Sequence, residues 1–238
     1  MFRRRIALVM GICVIWPAMK SRTSLILSML KSGYDPAQII VRLALRQALA
    51  DCERVLDVGC GSSMTLRRIG VPHPVGIEGY PPTFEEAKRL KTHDELVLGN
   101  VTELTRHFQP RQFDGCVAVD VIEHLNKPDG LQLMKNMESL ARKKVVLFTP
   151  SGFLPQGHTD QGDLQVHLSG WEPDEMKQYG YDVIGLLGPK TLRGDHHGLK
   201  RRPKIFWGVI SLFGHWFWTR RCPEKAAAIL CVKTMTAN

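Results

Sequence analysis

The chain has 238 residues, of which 44% are hydrophobic and 23% are charged, and this balance excludes large-scale disorder. The net charge of +9 favours anionic partners: nucleic acid, a phospholipid surface or an acidic substrate. The six cysteines include no C-x-x-C pair, which argues against a zinc site and predicts reduced thiols in a cytoplasmic protein.

The first 33 residues form an apolar and basic N-terminal segment. Three arginines, Arg3, Arg4 and Arg5, precede an apolar run over 6–19. As a helix this run spans roughly 21 Å, at about 1.5 Å per residue, and the hydrocarbon core of a bilayer is about 30 Å thick. Three interpretations stay open: a short amphipathic or surface anchor, an over-extended start with translation beginning at Met10 or Met19, and, in third place, secretion.

From residue 34 onwards, strands and helices alternate. The Asp35-Pro36 pair predicts the start of a helix over 36–51, and an apolar strand at 54–58 runs into a glycine turn. Further strands are predicted at 75–77, 96–98, 113–119, 144–148, 181–187 and 227–234, and helices at 83–92, 128–141 and 174–178. This rhythm predicts an α/β fold, a mainly parallel sheet with helices on both faces. The core is assigned to 34–188, an insert to 189–225 and the last strand of the core to 226–238.

The turn after the first strand, 57–61, is typical of a nucleotide site. Gly59 and Gly61 permit positive φ and a close approach of backbone to ligand. A dinucleotide site would place a third glycine at position 64, where Met64 stands. The acidic Asp57 suits a cationic ligand better than a pyrophosphate. Glu78 closes the second strand about 21 residues later, where a carboxylate can accept both hydroxyls of a ribose.

At this point the sequence resembles the class I S-adenosylmethionine-dependent methyltransferases. The segments at 55–61, 77–78, 99–101, 113–114 and 120–125 are similar to the motifs of that superfamily. The resemblance implies a Rossmann-like, mainly parallel seven-stranded sheet with an antiparallel last strand, and S-adenosyl-L-methionine as cofactor. The cofactor-binding residues it implies are Asp57, Gly59, Cys60, Gly61, Glu78, Gly79, Asn100, Val101, Asp120 and Val121. Asn100 replaces the more usual aspartate, and its amide oxygen could still reach the adenine amino group.

The run Asp120-x-x-Glu123-His124 resembles the E-x-x-E-H arrangement of ubiquinone-pathway O-methyltransferases, where acids and a histidine bind a divalent cation. The alternative is that Glu123 and His124 cap the next helix and shape the pocket wall. We expect no metal; if one binds, Asp120, Glu123 and His124 are the candidates.

His124 and His167 are the candidate catalytic bases for the acceptor. His167 follows the fifth strand, near the carboxyl edge of the sheet where ligands bind in such folds. A structural histidine that bonds a neighbouring loop is the alternative for each. His158, His196 and His197 are expected at the surface.

The insert at 189–225 is rich in both basic and aromatic residues. An apolar, aromatic stretch at 205–218 has basic residues on both sides, at Lys200, Arg201, Arg202, Lys204, Arg220 and Arg221. This composition favours an anionic membrane surface contacted through 200–221, and the alternative is an apolar helix packed on the domain. We expect the insert to border the active site.

These observations predict a cytoplasmic methyltransferase, peripheral at a membrane, that acts on oxygen of a small-molecule or lipid-linked substrate. The alternatives are an RNA methyltransferase and a non-catalytic S-adenosylmethionine-binding or scaffold protein. Nucleic acid is the second choice, because no Asn/Asp-Pro-Pro-aromatic motif follows the fourth strand.

Overall fold

A computed structural model describes residues 36–155, 166–194 and 197–236. The interpretations of the N-terminal segment and the helix start at Asp35 lie outside these residues, as do His158 and His196. Among the described parts, no helix combines the length and the apolar character that a bilayer crossing requires.

Seven strands form one sheet in the order β3-β2-β1-β4-β5-β7-β6. Their bounds are β1 Arg54–Val58, β2 His73–Glu78, β3 Glu95–Leu98, β4 Phe113–Val119, β5 Ala141–Pro150, β6 Asp182–Pro189 and β7 Ala226–Thr234. The first five strands pair in parallel, and β7 lies antiparallel between β5 and β6. The predicted fold class is confirmed, including the antiparallel last strand.

The helices connect the strands around this sheet. They are α1 Pro36–Ala48, α2 Thr65–Ile69, α3 Pro81–Leu90, α4 Leu104–His107, α5 Lys127–Leu140, α6 Pro173–Gln178 and α7 Lys204–Gly214, with a π-helix at His215–Thr219. Helix α3 begins at Pro81, two residues earlier than predicted, because proline is favoured in a first helical turn. Asn126 caps α5, since its side chain accepts a hydrogen bond from the Asp129 N–H at 2.9 Å.

Both faces of the sheet are buried, and side chains alternate between them. In β4, Cys116 and Ala118 belong to the core under α5, while Val117 belongs to the core under α1 and α2. In β5, Leu147 and Phe148 separate in the same way. Strands covered on two faces carry continuous apolar runs, which explains why the sequence predicts them well.

The insert packs on β6 through close backbone contacts. A Cβ on Gly185 would collide with the backbone of Thr219, and one on Gly188 would collide with the backbone of Ser211. The π-helix also directs His215 inward, where it is 2% exposed. Helix α7 and the π-helix therefore pack directly on β6.

Burial of His215 makes the stability of the fold dependent on pH. Burial, and next the positive charge of Arg220, lower the pKa of His215 from 6.5 to about 4, although a hydrogen bond with the Gly185 backbone opposes the shift. Below pH 6.5 the unfolded chain takes up a proton that the folded chain excludes. This contribution to the free energy of unfolding is therefore complete above pH 6.5 and falls as the pH drops towards 4.

We expect a loss of up to ~2–3 kcal/mol from this group over that window. Urea unfolding of His215→Gln across the same pH range should show a correspondingly flatter dependence. His73→Gln, at a side chain that is 65% exposed, should keep the wild-type slope. A slope unchanged in His215→Gln would contradict the assignment.

Candidate functional site

The glycine turn after β1 fits closely between β2 and β4. Gly59 and Gly61 have φ of +65° and +53°. The N–H groups of Gly59 and Cys60 both donate to the Ile77 carbonyl, at 2.9 and 3.1 Å. A Cβ on Gly59 would lie 2.8 Å from Cγ2 of Val121. The turn therefore needs glycine for two reasons, and it brings Val121 beside the predicted cofactor loop.

Glu78 joins the glycine turn to the loop that follows β2. Its Oε2 accepts from the Gly61 N–H at 2.9 Å and its Oε1 from the Tyr80 N–H at 2.8 Å. A carboxylate oxygen can accept a second hydrogen bond, so both oxygens can still receive ribose hydroxyls. Gly79 lies against the next loop, where a Cβ would be 3.4 Å from the Gly99 carbonyl oxygen.

Asp57 has a buried partner that the sequence did not indicate. Its Oδ2 lies 3.1 Å from Nε2 of His93, and the side chain of His93 is fully buried. Thr92 Oγ1 in turn lies 2.8 Å from Nδ1 of the same ring. His93 is 36 residues downstream, between α3 and β3, and no motif or spacing connects it with Asp57. This chain of contacts fixes the carboxylate at the base of the turn.

Cys60 is a structural member of the turn. Burial, and next the negative charges of Asp57 and Glu78, raise the pKa of its thiol well above the ordinary value. The thiol therefore stays protonated at neutral pH, which excludes a thiolate nucleophile at this position.

Asn100 begins the 3₁₀ turn Val101–Glu103. Its Oδ1 accepts from both the N–H and the hydroxyl of Thr102, each at 3.0 Å. These two bonds use both lone pairs of the oxygen that the sequence assigned to the adenine amino group. A contact between this side chain and adenine would therefore use the amide N–H₂ as donor to a ring nitrogen.

Asp120 stands at the end of β4 with φ of +53°. Its N–H donates to the Phe148 carbonyl at 2.9 Å, and its Oδ1 lies 3.2 Å from Nε2 of His197. The His197 ring also contacts the Phe148 ring, with 5.5 Å between centroids. The expectation of a surface position for His197 is wrong, because its side chain is only 13% exposed. The insert thus reaches the predicted cofactor pocket through His197.

Glu123, His124 and His167 form the main side-chain cluster of the site. One donor atom of each lies within 4.8 Å of the others. The two imidazole rings meet edge to face, with centroids 4.8 Å apart. All three residues are candidates from the sequence, but no sequence pattern predicts that His167 lies beside Glu123 and His124. Asp120, also named as a cation candidate, is not part of this set.

Backbone hydrogen bonds bring the cluster together. The Glu123 carbonyl accepts from the N–H groups of Leu168 and Ser169, at 2.8 and 3.0 Å. The indole of Trp171 donates to Ser169 Oγ at 3.0 Å and lies fully buried beneath the segment. These bonds attach the loop after β5 to the turn after β4, because Leu168 and Ser169 lie 45 and 46 residues after Glu123 in the chain.

Both histidines are oriented through Nδ1. His124 Nδ1 lies 3.3 Å from the Val166 carbonyl oxygen, and His167 Nδ1 lies 2.7 Å from the Leu154 carbonyl oxygen. A carbonyl only accepts, so Nδ1 carries the hydrogen in each neutral ring. The lone pair is then on Nε2, where it can accept a proton or bind a metal ion.

Glu123 is a carboxyl group held in a dry environment. It is 2% exposed, and Thr149 donates its hydroxyl to Oε2 at 3.0 Å. Burial, and next the negative charge of Asp120, raise its pKa well above the ordinary value. A buried acid beside two imidazole lone pairs can hold or exchange a proton, and the same three residues fit the ligands that divalent cations accept.

An open cleft of about 270 Å³ lies beyond β5 on the same side. It is lined by Pro150, Ser151, Gly152, Phe153, Leu154, Glu172, Lys190, Arg193, Gly194, His197, Lys200 and Ala227. Leu154 and His197 are also partners of His167 and Asp120, so the cleft borders the cluster as well as the predicted cofactor pocket.

Known proteins similar to this chain include methyltransferases. A methyltransferase domain profile matches residues 56–149. A small RNA 2'-O-methyltransferase from Tetrahymena thermophila is 22% identical over an alignment of 185 residues, and the match covers 61% of this chain. The match covers 43% of that relative, so the chain spans less than half of its length.

Two solved structures share the fold at low sequence identity. A SAM-dependent methyltransferase from Archaeoglobus fulgidus has a TM-score of 0.54 and 16% identity, over 89% of this chain and 99% of that one. The methyltransferase domain of bacterial CtHen1 has a TM-score of 0.52 and 17% identity, over 82% of this chain and 97% of that one.

Residues 56–149 match a methyltransferase domain, and the fold is shared with a SAM-dependent methyltransferase. The predicted enzyme class, a methyltransferase that uses S-adenosylmethionine, is confirmed at this level. The residue assignments within the cofactor pocket stay predictions, as does the narrower resemblance to ubiquinone-pathway enzymes.

Glu78→Gln tests the ribose assignment. A glutamine directs its amide N–H₂ at one of the two N–H donors that now bind the carboxylate, and it loses the charge. We expect the Kd for S-adenosylmethionine to rise roughly 10- to 100-fold, the effect of losing about 1–3 kcal/mol from a charged hydrogen bond. Isothermal titration calorimetry measures this. Glu95→Gln, at a side chain 55% exposed on β3, should leave the Kd unchanged; a wild-type Kd in Glu78→Gln would refute the role.

Proposed function

We propose that this protein transfers the methyl group of S-adenosylmethionine to a hydroxyl oxygen of a small or lipid-linked acceptor. The observation that carries the proposal is the cluster of Glu123, His124 and His167, with the imidazole lone pairs on Nε2. A hydroxyl must lose its proton when its oxygen is methylated, whereas a thiolate or carboxylate need not. A base beside the cofactor pocket therefore favours a hydroxyl acceptor.

The reaction needs alignment and one proton acceptor. The acceptor oxygen attacks the methyl carbon as the carbon–sulfur bond breaks, and the bonding pair returns to sulfur to give neutral S-adenosylhomocysteine. The hydroxyl proton passes to Nε2 of His167 or His124. Holding the reactants in line can supply roughly 7–11 kcal/mol of the barrier reduction.

In this proposal the cofactor pocket has four parts. Asp57 and the turn at 59–61 face the methionine end, Glu78 binds the ribose, Asn100 contacts the adenine edge, and Asp120 with Val121 lines the wall towards the methyl group. Because His197 joins Asp120 to the insert at 3.2 Å, the insert shapes access to the acceptor side.

A divalent cation is a second role that the cluster fits. Both Nδ1 atoms bond to backbone carbonyls, an arrangement also typical of metal-binding histidines. A bound cation would lower the pKa of the acceptor hydroxyl, and no separate base would then be needed. Glu123, His124 and His167 would hold it. Dependence on a metal distinguishes the two roles.

RNA is the second candidate acceptor. The Tetrahymena thermophila relative is named a small RNA 2'-O-methyltransferase, and a ribose 2'-hydroxyl would need the same base. The net charge of +9 would also favour a polyanion.

Labelled methyl transfer into a fractionated cell extract identifies the acceptor. With tritiated S-adenosylmethionine, we expect label in an organic or small-molecule fraction that survives ribonuclease treatment. Label confined to RNA would replace the proposed acceptor with the RNA alternative. Absence of transfer in every fraction, together with normal cofactor binding, would instead favour a non-catalytic role.

His167→Gln and His124→Gln test the base. General-base catalysis contributes roughly 10²- to 10⁴-fold, so at least one variant should lose that much of kcat while the Kd for S-adenosylmethionine stays the same. In that variant the ascending limb of the pH–rate profile should also disappear. His73→Gln serves as the control, and a chelator should leave the wild-type rate unchanged. If the chelator abolishes transfer and a divalent cation restores it, the cation role replaces the base role.

A further inference from the structure

Helix α7 and the π-helix after it expose their apolar side. Phe206, Val209, Phe213, Trp216 and Phe217 lie on the solvent side, and Phe213 and Phe217 are 60% and 77% exposed. Their spacing of three, four, three and one residues places them along one helical stripe. Trp218, the next residue along the chain, is 49% exposed. We call these six residues the aromatic face.

The inner side of the same helix is small or polar. Ser211, His215 and Thr219 are at most 2% exposed and repeat at intervals of four residues. Gly214 joins them, since a Cβ there would lie 2.7 Å from Cδ of Pro189. A helix on the surface of a domain normally turns its apolar side inward. Here the arrangement is inverted, and a contiguous exposed apolar patch of this kind marks an interaction site.

Positive charge surrounds the aromatic face. Six basic residues lie between 200 and 221, and no acidic residue occurs from 197 to 221. Arg201 lies over the ring of Trp207 at 4.8 Å, and Arg220 over the ring of Trp216 at 5.4 Å. Arg202, Lys204 and Arg221 are exposed beside them. Both ends of the helix therefore present cations at the level of the aromatic rings.

We propose that the aromatic face docks in the interface of an anionic membrane, with the helix lying parallel to the surface. Aromatic rings suit the boundary between headgroups and acyl chains, and lysine and arginine at the same depth contact anionic headgroups. From Phe206 to Phe217 the stripe is about 16 Å long, at about 1.5 Å per residue. This is too short to cross a bilayer but sufficient to lie in its interface.

The charge pattern favours lipid over the other occupants. A second copy of the chain would bring its own six cations against these, which like-charge repulsion opposes. RNA would satisfy the cations and could stack bases on the exposed rings, but it would leave the aliphatic side chain of Val209 in water. An anionic bilayer satisfies the aromatic rings and the cations together.

Docking would place the open cleft next to the lipid surface. Lys190 and Lys200 line that cleft, and the insert that carries Lys200 continues directly into α7. A lipid-linked acceptor could then reach the cluster from the membrane. The docking proposal does not depend on this step, since the face would bind lipid whatever the acceptor is.

Vesicle sedimentation of the full chain tests the docking. Phosphatidylcholine vesicles containing phosphatidylglycerol should retain the protein, phosphatidylcholine alone should retain much less, and added salt should weaken binding. Phe213→Ser/Phe217→Ser should lower the partition coefficient by about tenfold or more. Leu90→Ser, at a leucine 40% exposed on α3, should bind as the wild type does. Unchanged affinity for S-adenosylmethionine in each variant verifies the fold.

The same variants distinguish lipid from the other possible partners of the aromatic face, a second copy of the chain and RNA. Because the N-terminal segment is present in every protein, a difference between variants reports the aromatic face alone. Equal partitioning of the double variant and the wild type would overturn the proposal. So would a dimer in light scattering that the double variant abolishes, or RNA binding that requires Phe213 and Phe217 without vesicle binding.

Discussion

The arrangement of the site depends on one backbone carbonyl. The carbonyl of Glu123 accepts the N–H groups of both Leu168 and Ser169, and these two bonds fasten the loop after β5 to the turn after β4. Parallel strands end at a common edge, but they do not by themselves bring particular side chains into contact. This junction sets His167 against His124 and leaves the Glu123 carboxyl buried beneath them. The proposed base catalysis and the alternative cation site both require it.

The buried strands and the glycine turn could be predicted because their causes are local. Strands covered on both faces need continuous apolar residues, and the turn at Gly59 needs positive φ and room beside Val121. The partnership of Asp57 with His93 could not be predicted in this way. It joins residues 36 positions apart that only the packing of α3 against β2 and β3 brings together. The pairing of His197 with Asp120, across 77 positions, escaped prediction for the same reason.

The insert shows a different limit of sequence patterns. Its apolar residues repeat at helical spacing, and such spacing predicts a helix without stating which side faces the core. Packing against β6 determines which side of the helix faces the core, because Gly185 and Gly188 contact the backbone of the helix so closely that no large side chain fits between them. Small and polar residues such as Ser211 and Thr219 allow that close approach, whereas phenylalanine would prevent it. The aromatic residues are consequently left outside.

Asp120 connects the turn after β4 with the insert. A left-handed conformation is unfavourable for a residue other than glycine, so it persists only where neighbouring contacts stabilise it. The Phe148 carbonyl accepts the Asp120 N–H, and His197, held against the Phe148 ring, contacts the carboxylate. His197 is in turn fixed by its carbonyl, which accepts from Arg193 Nη1 at 2.6 Å. Arg193 also donates to Ser211 in α7 at 3.1 Å. A continuous series of polar contacts therefore runs from Asp120 to the helix that carries the aromatic face. The surface proposed to approach the membrane and the pocket proposed to hold the methyl donor are parts of one packed structure.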